Sequence, residues 1–69
     1  MTQFSIELEC EDDGRWIAEI AALPGALAYG SSRDEATRKV EAIALRILAD
    51  RVERGEHVPE VEGAFLIAV

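Results

Sequence analysis

Three carboxylates at alternating positions, Glu7, Glu9 and Glu19, carry the chemistry this 69-residue chain could do. Side chains two apart on a strand share a face, so Glu7 and Glu9 point the same way. A second strand folded back on the first can bring Glu19 beside them. Such a cluster can hold a divalent metal for phosphodiester cleavage. It can also form an acidic surface that receives a cationic protein, or simply a solvated face.

Other chemistry has weaker support. Cys10 is the only cysteine and His57 the only histidine, so an intrachain disulfide and a Cys/His metal cluster are excluded. Cys10 falls on the apolar phase of its strand and reads as a small buried hydrophobe. No Gly-rich phosphate loop is present. The sequence therefore assigns no catalytic residue, no metal and no cofactor.

The elements that must position the acids can be read directly. Phe4, Ile6, Leu8 and Cys10 alternate with Ser5, Glu7, Glu9 and Glu11, the period of a half-buried strand. Trp16, Ala18 and Ile20 continue that phase after a turn. A two-residue loop would mix the faces. A three-residue loop, Asp12-Asp13-Gly14, pairs Cys10 with Trp16, Leu8 with Ala18 and Ile6 with Ile20, and puts glycine where φ is positive. Glu7 then lies opposite Glu19, a like-charge pair that costs energy. That pair is the sequence's hint of a cationic partner; an acidic solubility face is the competing reading.

Pro24-Gly25 predicts a type II turn, and Ala26–Gly30 a short third strand with Leu27 and Tyr29 on one side. Leu23-Pro24-Gly25 and Tyr29 read equally as a partner-binding rim or as turn and core. Ser32 and Glu35 fit a capping box. A helix from Arg33 to about Arg54 follows, with Ala36, Val40, Ile43, Ala44, Ile47, Leu48 and Val52 as its apolar stripe. Gly55 suits its end. Ala64–Val69 is uncharged and apolar on both faces, so it reads as a closing strand covered by the sheet, a second copy or a partner. The expected architecture is one α+β domain over residues 1–69. Its order is β-β-β-α-β, an antiparallel sheet of three to four strands with one long helix on its apolar face.

Charge narrows the partner. The net charge is −7 and the pI about 4.5. Residues 1–32 carry −5 and residues 33–54 carry +1, so the sheet is acidic and the helix near neutral. This argues against direct nucleic-acid binding, which needs clustered Lys and Arg, and favours a basic protein. No apolar run is long enough to span a bilayer and no signal peptide is recognisable, so the expectation is a soluble cytoplasmic protein. A chain this short buries only about 60% of its unfolded surface, so self-association, as a homodimer or higher oligomer, or a bound partner is the expected aid to stability.

An ordered set of segments resembles the HicB-type antitoxin domain. It comprises Glu11-Asp12-Asp13-Gly14-Arg15-Trp16-Ile17-Ala18-Glu19-Ile20, Leu23-Pro24-Gly25, Tyr29-Gly30-Ser31-Ser32-Arg33-Asp34-Glu35-Ala36, and, past the helix, Glu56-His57-Val58-Pro59. The resemblance implies a partial RNase H-like fold without the carboxylate set of active enzymes. It also implies a binding role: neutralising a small basic HicA-type RNA-cleaving toxin by covering its RNA-binding or active surface. Many such proteins add a carboxy-terminal DNA-binding domain; the sequence to Val69 contains none, which puts operator binding in doubt. The partner-binding residues expected are Glu7, Glu9, Glu11, Asp12, Asp13 and Glu19 for electrostatics, with Trp16 and Tyr29 as aromatic anchors where they are exposed. The rivals are an orphan homo-oligomeric module with a structural or regulatory role, and a residual metal-dependent nuclease using Glu7, Glu9 and Glu19.

Overall fold

The computed structural model describes residues 3–68. It is an α+β fold in the order β1 (Glu7–Cys10), β2 (Trp16–Glu19), β3 (Leu27–Gly30) and α1 (Arg33–Glu53). The strands form an antiparallel sheet in the order β1-β2-β3. The hairpin register is the one the apolar pattern demands: Glu7 pairs with Glu19, Leu8 with Ala18, Glu9 with Ile17 and Cys10 with Trp16. The three-residue loop closes with Glu11 N–H donating to the Arg15 carbonyl at 2.7 Å, and Gly14 takes φ +90.

The β2–β3 connection is the Pro-Gly turn. Ala26 N–H donates to the Leu23 carbonyl at 2.9 Å, with Gly25 at φ +94. Leu23 is folded under this turn and only 1% exposed, so the turn is anchored in the core.

Helix α1 begins where Ser32 Oγ accepts from Glu35 N–H at 3.1 Å. The return arm of the cap goes one residue further back than the simple box: Ser31 N–H donates to Glu35 Oε1 at 2.8 Å. Arg54 caps the far end and Gly55 takes φ +78, closing the helix as glycine usually does.

The helix lies on β3 and β2. Its buried residues are Ala36, Val40, Ala44 and Leu48, which meet Ala18, Ile20, Leu23, Ala26 and Ala28. Half of this core is alanine, so sheet and helix approach closely. The closest approach is at Gly30, where a Cβ would stand 2.5 Å from the Ala36 backbone nitrogen.

Three expectations are corrected. The closing strand is not formed: Ala64–Ala68 has no regular structure, and Phe65, Leu66 and Ile67 are 85%, 93% and 86% exposed; Val69 lies outside the described residues. A run apolar on both faces needs cover on both, and a sheet with one helix covers only one side. Cys10 is exposed rather than buried, because the helix passes over β3 and β2 and leaves β1 at the uncovered edge. Val52 is half exposed, since the helix outruns the sheet before its last turn. Val58, beyond Gly55, is buried instead and seals that end of the core.

Candidate functional site: an acidic sheet face

The face of the sheet away from α1 is open. Two rows cross it, read from the register: Glu9–Ile17–Tyr29 and Glu7–Glu19–Leu27. Each begins with an acid on β1 and ends with a large exposed side chain on β3. Leu27 is 41% and Tyr29 42% exposed. The face therefore grades from acidic at the β1 edge to apolar at the β3 edge.

Glu7, Leu8, Glu9, Ile17 and Glu19 line a shallow depression of about 250 Å³. Among the described residues, the chain's ion pairs join Arg15 to Asp13, Lys39 to Glu35, Arg54 to Asp50 and Glu56, and His57 to Glu62. None reaches Glu7, Glu9 or Glu19. The Glu7–Glu19 pair is thus uncompensated within the described chain.

The loop end of the face is different. Arg15 Nε donates to Asp13 Oδ2 at 2.8 Å, and Arg15 N–H donates to Oδ1 at 3.0 Å. These contacts hold the Asp13 carboxyl below its ordinary value, the backbone hydrogen bond contributing most. The same guanidinium lies 4.9 Å from the Tyr29 ring centroid, a cation–π arrangement. Asp13 is thus spent on its own turn, while Asp12 is exposed at the tip and Glu11 is half-buried beside Arg15.

The structure brings Glu7, Glu9, Glu19 and Tyr29 onto one face and sets Trp16 on the other. Trp16 pairs with Gly30 in the phase of Ala18, half-buried, with Arg33 5.8 Å from its ring centroid. The two expected aromatic anchors therefore sit on opposite sides of the sheet. The alternation of β2 carried that information, since Trp16 shares the phase of Ala18 and Ile20. Leu27 was missed as a site residue, although it shares the phase of Tyr29.

Among the described residues no group of three His, Cys, Asp or Glu is placed to hold a metal ion. Glu7 and Glu9 stand on one strand with a residue between them. No helix of the described residues is long and apolar enough to cross a membrane.

Comparison with known proteins adds no identity: no family model, no curated protein and no solved structure matches the chain.

Proposed function

We propose that this chain is an antitoxin-like binding module of the HicB type, acting in the cytoplasm on a small basic RNA-cleaving toxin. The observation that carries the reading is the open face itself. Glu7, Glu9 and Glu19 share one face with no ion pair to a cation among the described residues, and Ile17, Leu27 and Tyr29 supply apolar contact beside them. A basic protein surface fits both halves. Its Lys and Arg side chains would relieve the Glu7–Glu19 repulsion, and its apolar atoms would cover Leu27 and Tyr29. Neutralisation is then occlusion, with no bond made or broken.

The segments that resemble the HicB-type domain supply the identity of the partner, and the acidic sheet supplies the means. The test is co-expression with the product of an adjacent small basic reading frame, scored by growth rescue and co-purification. Rescue with a stable complex is expected. No rescue and no complex would turn the reading toward its rival, an orphan self-associating module. The exposed Phe65–Ile67 segment favours that rival.

A further inference from the structure

The described sheet has two unpaired edges, β1 and β3. An open apolar groove lies beside β1, and an exposed apolar tail has the chemistry to fit that edge and groove. Glu11 N–H bonds to the Arg15 carbonyl. Antiparallel alternation then makes Glu9–Ile17 and Glu7–Glu19 the hydrogen-bonded pairs and turns the backbone N–H and C=O of Leu8 and Cys10 outward. The helix does not cover this edge.

The groove adjoins it. Phe4, Ile6, Ile20, Leu45, Leu48 and Val61 line most of a cavity of about 550 Å³ between the start of β1 and the outer flank of α1. Leu45 is 67% exposed there. The tail is Ala64–Ala68, uncharged, with its three large side chains at least 85% exposed. Val61 forms part of the groove wall, and beyond Gly63, at φ +84, Phe65 lies on a separate depression with Val52, Val58 and Val61. Each tail thus starts beside its own groove but does not enter it.

We propose that the tail of one copy adds as a strand to the β1 edge of a second copy, with Phe65 and Ile67 seated in that copy's groove, and that the exchange is reciprocal. Backbone hydrogen bonds to Leu8 and Cys10 hold the added strand, while alternate side chains fill the groove. The contact is isologous and closes as a two-fold dimer.

A second copy is the occupant for three reasons. The side chains of Ala64–Val69 carry no charge, so docking them against a chain of net charge −7 adds no like-charge side-chain contact. The core is small, half alanine, and needs more buried surface than one chain supplies. The area also suffices. With about 150–200 Å² of surface on each of Phe65 and Ile67, two tails and their two grooves bury roughly 1,200–1,600 Å² in total, within the range of stable interfaces. The inference does not depend on the antitoxin reading, because the seam lies on the edge and helix side rather than on the acidic face.

Sedimentation equilibrium of three forms tests it: the unaltered chain, a tail variant (Phe65→Glu with Ile67→Glu) and a groove variant (Leu45→Glu). The unaltered chain should be a dimer. Each variant should weaken self-association by at least about a hundredfold, as loss of large apolar contacts at the seam implies. Mixing the two variants should favour a dimer of unlike copies over either like pair, since it holds one intact tail–groove contact where each like pair holds none. A monomeric unaltered chain, a tail or groove variant that dimerises undiminished, or no unlike dimer on mixing would overturn the proposal. Hydrogen exchange on the unaltered protein decides the case if a variant fails to fold. Protection of the Leu8, Cys10 and tail amides should rise with protein concentration; protection independent of concentration, or none, would overturn it.

Discussion

Glu7 and Glu19 face each other directly across the β1–β2 hairpin, with no cation of the described chain beside them. A like-charge cross-strand pair works against the fold. Here it lies on the face proposed to bind, where a basic partner would turn the cost into affinity. On that proposal, stability and recognition pull this pair in opposite directions.

Glu19→Lys separates the two demands. It should stabilise the isolated domain by about 0.2–1 kcal/mol, the size of a cross-strand pair, while weakening capture of a basic partner. Urea unfolding beside a binding titration measures both. A variant that loses stability and keeps its affinity would contradict the role given to this pair.

Two glycines should respond differently to alanine. At Gly30 the added Cβ meets the Ala36 backbone, which cannot move without shifting the helix. Gly30→Ala should cost about 2–3 kcal/mol, the scale of overpacking. At Gly14 there is open space but φ is +90, so Gly14→Ala should cost only about 1 kcal/mol of backbone strain. Thermal unfolding of both variants gives the order.

Acid should loosen the hairpin loop and the helix start together. The Asp13 carboxyl is held down chiefly by the Arg15 N–H, and the Glu35 carboxyl chiefly by the Ser31 N–H, with Lys39 adding to it. Their ordinary values are 3.8 and 4.5. Groups lowered in the folded state stabilise it above the ordinary value, and lose that contribution as pH falls through the lowered one. Asp13→Asn with Glu35→Gln should flatten the stability profile below pH about 4.5. Ser32→Ala removes the other half of the cap and should cost about 1 kcal/mol at neutral pH.

Salt should act with opposite sign on the two surfaces. Screening weakens attraction between the acidic face and a basic partner, but relieves repulsion between two copies of charge −7 joined through uncharged tails. Raising ionic strength should therefore slow partner association and tighten self-association. Analytical ultracentrifugation and stopped-flow binding over one salt series compare them; a self-association that weakens with salt would contradict a seam held by apolar side chains.

The hairpin was legible because only one register keeps Leu8, Cys10, Trp16 and Ala18 in phase, and a slip of one residue would bury the glutamates. The helix was legible from Ser32 at one end and Gly55 at the other. Local pattern did not reveal which strand the helix would leave bare. That depends on small residues, Gly30 and the core alanines, drawing α1 over β3 and β2, and it decided the exposure of Cys10. The fate of Ala64–Ala68 was also beyond local pattern. Its composition asks for cover on both faces, and the described chain has no second layer to provide it. On the acidic face, the grouping of Glu7, Glu9 and Glu19 followed from alternation. The engagement of Asp13 by Arg15 did not, because it depends on how the turn folds back.

The most direct test of the antitoxin-like reading is binding of the small basic partner to the unaltered chain and to a Glu7→Lys, Glu9→Lys, Glu19→Lys variant, with far-ultraviolet circular dichroism to verify that both are folded. The account predicts tight, salt-sensitive binding by the unaltered chain, and slowed association with loss of neutralisation in the variant. Equal affinity of the two folded proteins would contradict the assignment of the acidic face as the binding surface.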